Sequence, residues 1–472
     1  MARTSADTTL DSEVALDDNA ISQLDASLRG ELIRPEDEDY DFARQVYNAM
    51  IDKHPRLIAR CIDVADVITC VNFARDNGLL LAVRGGGHSG GGFGTCDNGL
   101  VLDLGLMKGV RVDPESRTVR AEGGCRQGEV GHAASAFGLA IPVGVVGTTG
   151  IAGLTLGGGH GYLARKYGLA IDSLLEADVV TADGRLVVAS ADRNEDLFWA
   201  IRGGGGNFGV VTSFLFQAHP VSTVTAGPMF WELDQMAEMM QWFREFTPPT
   251  EDLYGFFALM MIPPVPLFPT ELHGRTVCGV VWCHLGTPEQ AIEDLDAVRR
   301  EHPPLFEMVG SMPFMTLQSL FDALLPPGLQ WYWRGDFFKE LSDDAIQEHI
   351  QYGSRLPSLL SIMHLYPIDG QVSRIPKDDT AFSYRDVKWS MVIAGVAPDP
   401  AGNEKITRWT KDYWNALHPY SAGGAYINFM MDEGSERVRA TYRGNYDRLA
   451  AIKAKYDPEN LFRVNQNIKP AE

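Results

Sequence analysis

The densest glycine run in the chain is Arg84-Gly-Gly-Gly-His88-Ser-Gly-Gly-Gly-Phe-Gly94, directly after the apolar stretch Leu79-Leu-Leu-Ala-Val83. Seven of the ten residues from 85 to 94 are glycine. With no side chains in the way, backbone N–H groups can come close to a ligand and turn toward an anion. Simple patterns mislead here. Gly85, Gly87 and Gly90 spell G-x-G-x-x-G, but that fingerprint needs a helix opening at its end, and Gly91, Gly92 and Gly94 oppose one. Gly87-His-Ser89-Gly-Gly91 spells G-x-S-x-G, which also requires a strand–turn–helix context. No G-K-[ST] sequence occurs, so a P-loop is excluded.

Two more runs follow, Gly157-Gly-Gly-His160-Gly161 and Arg202-Gly-Gly-Gly-Gly-Asn207-Phe-Gly209. A single run of this kind reads as a tight turn between strands. Three of them, with His88 lodged in the densest, read better as the walls of one large phosphate-bearing cofactor site. For His88 itself the plain alternative is a hydrogen-bonded loop histidine.

The chain has 472 residues, enough for two or three domains, with 45% apolar and 22% charged residues. A net charge of −21 repels nucleic-acid backbones, so DNA and RNA partners are not expected. The start, Met1 to Asp18, lacks the basic and apolar runs of a signal peptide, and no 18-residue apolar stretch occurs. The expected location is the cytoplasm, without a membrane span. Cys61, Cys70, Cys96, Cys125, Cys278 and Cys283 lie far apart without a metal-type cluster, so they read as reduced structural thiols and no metal is expected.

Residues 1–50 read as a loosely held lead-in with a helix near Asp41–Lys53. From about 55 to 220, short apolar or alternating runs predict strands at Leu79–Arg84, Leu100–Leu104, Arg117–Glu122 and Val210–Gln217. Val179–Ala182 and Arg185–Val188 flank Asp183-Gly184, a hairpin signal. Helices are predicted at Gly128–Phe137 and Asn194–Ile201. Beyond Pro220 the elements lengthen. Strands are expected at Val277–His284, Gln330–Phe338, Leu359–Tyr366 and Lys388–Val396. Helices are expected at Pro288–His302, Asp343–Arg355 and Asn403–Leu417, with Thr287 and Ser342 as caps of the first two. After Gly423-Gly424 a short strand and one helix from Glu436 to Tyr456 are predicted.

The three glycine loops, in their fuller sequence, resemble those of the berberine-bridge-enzyme-like FAD oxidases of the vanillyl-alcohol-oxidase superfamily. The matching segments are Arg84–Gly90, Gly150-Ile-Ala-Gly153 through Gly168, and Asp196–Val211. Asn445–Leu449, Lys455–Phe462 and Asn465-Gln-Asn-Ile468 are similar to the family's C-terminal signature, and Thr380-Ala-Phe382 with Arg385 to a marker of its substrate domain. The resemblance implies an α+β fold: a two-part PCMH-type FAD-binding domain (1–222 and 425–472) and a substrate domain (223–424) with an antiparallel sheet covered by helices. It implies cofactor contacts from Arg84, Gly85, Gly86, Gly87, Ser89, Gly90, Thr148, Thr149, Gly150, Gly153, Gly158, His160, Gly161, Gly209, Val211, Asn465 and Asn467. It also implies that His88 carries FAD through the 8α-methyl carbon. Many relatives add a cysteinyl link at a position that here is Val146, so a single attachment is expected. The family position that gates O₂ falls at Thr149, valine-sized but polar, and oxidase is preferred over dehydrogenase.

In such an enzyme the flavin accepts a hydride from an alcohol, hemiacetal or amine carbon, and the protein places that carbon and handles the proton. An oxidase would pass the electrons to O₂ and give H₂O₂; a dehydrogenase would use a quinone or protein acceptor; a third reading is a flavin-binding protein without turnover. Gly424-Ala-Tyr426-Ile-Asn428-Phe429 is similar to the family strand that faces the flavin. Strand alternation would put Tyr426 and Asn428 on one face. Tyr426 is the candidate base or hydrogen-bond partner, and Asn428 the candidate orienting group. Plant relatives carry polar residues on the Lys388–Val396 strand at positions that count to Met391 and Ile393, which cannot accept a proton. The substrate-domain aromatics Trp331-Tyr-Trp333, Phe337-Phe338 and Trp242, with methionines 260, 261, 308, 312 and 315, are mostly core formers. Where they line a pocket, they favour an aromatic or apolar small molecule over a long sugar.

Overall fold

A computed structural model of the chain describes residues 16–472. The predicted lead-in falls partly outside them. Two sheets carry the glycine loops. In the first, strands Leu57–Arg60, Leu100–Asp103 and Leu81–Arg84 run parallel in that order, and Glu31–Ile33 adds antiparallel to Leu57–Arg60. Parallel strands need both faces covered, and Leu57, Leu81, Leu100 and Leu102 accordingly pack with Val67, Cys70 and Val71 of helix Val64–Asp76. The first glycine loop begins where Leu81–Arg84 ends.

The second sheet is antiparallel, in the order Val110–Asp113, Thr118–Glu122, Val210–Gln217, Leu174–Val180, Leu186–Ser190. The Asp183-Gly184 hairpin forms as its turn chemistry requires, with Gly184 at φ +80°. One apolar core joins this sheet to the end of the chain: Phe214 and Phe216 pack with Leu197, Val438, Leu449 and Ile468.

The third sheet has eight strands, all antiparallel. Its main path is Phe306–Glu307, Thr223–Glu232, Thr276–His284, Leu253–Met261, Ile362–Pro367, Trp389–Ala397, Gln330–Phe338, with Gly310–Pro313 also paired to Thr223–Glu232. Alternation divides it into two faces. Trp231, Leu259, Val280, Leu365, Met391 and Ile393 face the helices Met236–Glu245, Pro288–Glu301, Asp343–Gly353 and Asn403–Leu417. Tyr254, Phe256, Val281, Tyr366 and Val392 face the other way and meet Tyr162 and Leu163. Both expected helix caps are present: Thr287 Oγ1 accepts from Gln290 N at 3.3 Å, and Ser342 Oγ from Ala345 N at 3.2 Å.

Three expectations are corrected. The helix near Asp41–Lys53 is only the short turn Tyr40–Ala43. Beyond it the backbone bonds outward, Tyr47 N to Gly87 O and Ala49 N to Leu329 O, and Asn48 Oδ1 accepts from Met50 N in place of a helical partner. The segment after Gly424 is not a strand. It touches strand Gln330–Phe338 through Phe337 N to Gly424 O, then closes a 3₁₀ turn over Ile427–Phe429. The last helix is two, Ser435–Tyr442 and Tyr446–Tyr456, broken where Arg443 takes φ +48°.

Candidate active site

The three glycine loops meet on one cavity of about 370 Å³. Its walls come from residues 83–90 of the first loop, 144–156 with His160 around the second, 205–211 of the third, and Phe462 to Gln466 near the end of the chain. The eight-stranded sheet closes the remaining side with Trp331, Trp333, Ile362, His364, Tyr366, Val392 and Ala394. Close approach explains two of the glycines. A Cβ on Gly86 would lie 2.4 Å from Gly150 N, and one on Gly150 2.3 Å from Gly86 N, so these loops touch backbone to backbone. Gly153 and Gly206 differ, because a Cβ there would meet no protein atom within 4 Å.

Of the residues expected at the cofactor, Arg84, Gly85, Gly86, Gly87, His88, Ser89, Gly90, Thr149, Gly150, Gly153, His160, Gly209, Val211 and Asn465 line the cavity. Thr148, Gly158, Gly161 and Asn467 stand behind that lining. Gly161 holds the second loop against Val143, where a Cβ would fall 2.0 Å from the carbonyl oxygen, and Gly158, at φ +138°, lies against Tyr426 and Phe382. Arg84 does not offer its charge to a phosphate. Its guanidinium bonds Asp103 Oδ2 at 2.8 Å and the carbonyls of Ala43 and Gln45 at 2.6 and 3.2 Å, pinning the lead-in segment to the first sheet.

His88 stacks on Tyr47, ring centroids 3.9 Å apart at 17°. Burial, reinforced by the Arg126 charge and opposed by a hydrogen bond to the Thr148 main chain, lowers its pKa to about 4. The imidazole is therefore neutral, with a lone pair available, at ordinary pH. The Tyr47 hydroxyl donates to Leu325 O at 2.9 Å. Next to it, buried Asn48 donates to Gly90 O and Trp331 O and accepts from Trp331 N, each at 3.0 Å, clipping the first glycine loop to the eight-stranded sheet. Neither Tyr47 nor Asn48 was legible as a site residue, because their segment reads as a helix. Val146 lines the cavity, and no cysteine does among the described residues. Burial raises the thiols of Cys96 and Cys125 to about 12 and 11.

Tyr426 and Asn428 do come together, through the turn rather than through strand alternation. The phenol oxygen accepts from Asn428 Nδ2 and from Gly159 N, both at 2.8 Å, and from the His160 main chain. Asn428 Nδ2 also donates to Leu154 O at 3.1 Å. Burial outweighs these donors and pushes the Tyr426 pKa up to about 12, so the group is a neutral phenol. Its own hydrogen has no acceptor among the described residues.

On strand Trp389–Ala397 the cavity is lined by Val392 and Ala394. Met391 and Ile393, singled out by counting, lie on the opposite face in the helix-covered core. The register is off by one residue, yet the side facing the cavity is equally unable to accept a proton. Trp331 and Trp333 line the cavity, whereas Trp242 and Phe338 belong to the helix-covered core and Phe337 packs on Tyr384. The residues missed are His364 and Tyr366, two apart in an otherwise apolar strand, a polar interruption that alternation alone would have aimed inward.

These walls fit a flavin dinucleotide. Backbone from side-chain-poor turns surrounds the space, Gly153 and Gly206 leave room for a ligand, and on the wall itself the buried Asn465 Oδ1 has no protein partner. Residues 55–190 match the family described as FAD binding domain, and residues 425–469 the family described as berberine and berberine like. The chain is 32% identical to an FAD-linked oxidoreductase of Dictyostelium discoideum over 96% of this chain and 97% of that one. It is 30% identical to (R)-6-hydroxynicotine oxidase of Paenarthrobacter nicotinovorans over 94% and 97%. The crystal structure of 6-hydroxy-D-nicotine oxidase from Arthrobacter nicotinovorans superposes with a TM-score of 0.83 at 29% identity, covering 94% of this chain and 99% of that one. A berberine-bridge-enzyme-like protein of Physcomitrella patens does so with a TM-score of 0.85 at 24% identity, covering 96% and 99%. Fold, cavity and sequence agree that this chain belongs to the berberine-bridge-enzyme-like FAD-linked oxidoreductases.

Proposed function

We propose that the chain is an FAD oxidase that removes a hydride from an alcohol, hemiacetal or amine carbon of a small organic molecule and passes the electrons to O₂, giving H₂O₂. The observation that carries this reading is the neutral His88 imidazole, stacked on Tyr47 in the same cavity as all three glycine loops. In this reading FAD lies among residues 84–90, 149–153, 205–211 and 462–466, attached through His88 alone, because Val146 offers no nucleophile. The division into 1–222 with 425–472 for the cofactor and 223–424 for the substrate belongs to the same proposal.

Bound FAD supplies the hydride-accepting ring. The chain's own part is positioning and water exclusion. Tyr426 presents a phenolic hydrogen, and Asn428 fixes that phenol by donating to its oxygen. The uncharged sheet wall favours an aromatic or apolar substrate over a sugar, which would need several polar partners.

The test is the purified protein's own spectrum. Acid precipitation should leave the yellow colour in the pellet, and free flavin in the supernatant would remove the covalent link. Anaerobic bleaching by a substrate panel that includes (R)-6-hydroxynicotine, followed by rapid reoxidation on mixing with air, is expected. Slow reoxidation with fast transfer to a quinone would favour a dehydrogenase, in keeping with the polar Thr149 at the gating position. A stable yellow protein that nothing bleaches would leave a flavin binder.

A further inference from the structure

The sheet wall opposite the glycine loops is almost wholly apolar, with Trp333, Ile362, Val392 and Ala394 at its surface. Two polar side chains interrupt it, His364 and Tyr366, on the same face of strand Ile362–Pro367. Their neighbours Met363 and Leu365 point into the helix-covered core. Among the described residues no Asp, Glu or Lys lines the cavity, and its one arginine, Arg84, is held by Asp103.

The pair is tightly placed. His364 Nδ1 lies 2.9 Å from the Tyr366 hydroxyl. The Tyr366 ring contacts Phe256 (centroids 4.8 Å), His160 (5.4 Å) and Phe429 (5.7 Å), and Phe429 in turn contacts Tyr426 at 4.9 Å, so the pair borders the candidate catalytic phenol. Phe256 also flanks the His364 ring, at 5.0 Å. Burial lowers the His364 pKa to about 4 and raises that of Tyr366, so both are neutral. His364 Nε2 has no hydrogen-bond partner among the described residues, although the ring lines the cavity.

A neutral imidazole and a neutral phenol sharing one hydrogen bond have a fixed remainder. If the phenol donates to Nδ1, Nε2–H is left as a donor and the phenol oxygen as an acceptor. If Nδ1–H donates to the phenol, Nε2 is left as an acceptor and the phenol O–H as a donor. Either way the pair offers one donor and one acceptor, the complement of a hydroxyl.

We infer that the His364–Tyr366 pair is the polar anchor of the substrate wall and binds a hydroxyl of an uncharged, flat aromatic ligand. This rests on the oxidoreductase reading for its place in a reaction, but the binding step needs no turnover. A site built around a hydroxyl discriminates against the analogue lacking it, because its own polar groups are then left unpaired.

The experiment is a titration of the purified holoprotein, followed by quenching of tryptophan fluorescence, with benzyl alcohol, ethylbenzene and benzoate. Benzyl alcohol should bind at least about fivefold more tightly than ethylbenzene, and benzoate, lacking a cationic partner, more weakly than either. His364→Leu should erase the preference for the alcohol, Tyr366→Phe should reduce it, and His364→Gln, which keeps a donor and an acceptor, should retain part of it. Equal affinity for alcohol and hydrocarbon, a preference that survives in His364→Leu with a native melting profile, tighter binding of benzoate, or binding of no probe would each overturn the inference. A protein that prefers benzyl alcohol through His364 but carries no flavin would instead sink the oxidoreductase reading and leave the anchor standing.

Discussion

A side chain's setting can decide its chemistry before any ligand arrives. His88 is kept neutral by burial and held flat against Tyr47. If that stack aims the ring at the cofactor, Tyr47→Leu should lower the fraction of flavin retained after acid precipitation while total bound flavin in the native protein changes little. An unchanged fraction would free Tyr47 of a positioning role. Tyr426 contributes as a phenol, not a phenolate, since the donors around its oxygen do not overcome burial. Tyr426→Phe should slow substrate-driven flavin bleaching by about a hundredfold to a thousandfold, in the range of a single positioned hydrogen-bond donor. Because the group titrates only near 12, its protonation should leave no step in the rate between weakly acidic and neutral pH.

At the level of elements, glycine acts here in two distinct ways, and a pair of substitutions separates them. Gly86→Ala should prevent the first and second loops from meeting, lowering both thermal stability and flavin content, because the added carbon falls on the backbone of Gly150. Gly153→Ala meets no protein atom, so it should leave the melting temperature of flavin-free protein unchanged while weakening flavin binding. Equal behaviour of the two variants would argue against Gly153 facing the cofactor. The loops could be found in the sequence because glycine density is itself the signal, and strands such as Leu81–Arg84 and Leu100–Asp103 because short apolar runs mark strands buried on both faces. What escaped detection was set by distant partners. Asn48 is fixed by Trp331, the turn that replaces a strand at Tyr426 by its closure against Gln330–Phe338, and the face of Trp389–Ala397 by a register that the count to Met391 and Ile393 misses by one. His364 and Tyr366 lay within a strand that was expected, yet their pairing depends on the fold around them.

Across the whole molecule, ion pairs and buried imidazoles set the response to mutation and acid. Arg385, noted in the sequence only as a marker, forms a two-pronged pair with Asp172 at 2.6 and 3.1 Å, where both side chains are almost fully buried. Arg385→Ala should cost about 3–5 kcal/mol by leaving a buried carboxylate without its partner. Arg385→Lys should recover only part, having no planar fork; the midpoint of denaturant unfolding checks both. Burial lowers the pKa of His160, His219 and His364 to about 4 and of His349 to about 3. Between the ordinary value of ~6.5 and those values the unfolded chain binds more protons than the folded one, so stability is full above that window and falls as the pH drops through it. The melting temperature should decline steadily over that range, and His349→Gln should make the decline shallower.

The wall formed by Phe462, Val464, Asn465 and Gln466 sits across from strands more than sixty residues earlier in the chain. Buried Lys453 holds this tail against the third loop by donating to Asn207 O at 2.6 Å and Phe462 O at 2.8 Å. During synthesis, then, the chamber stays open until residues 462–466 have left the ribosome. A chain stalled before those residues should therefore emerge colourless however much flavin surrounds it, and one released just beyond them should take up the vitamin-derived group.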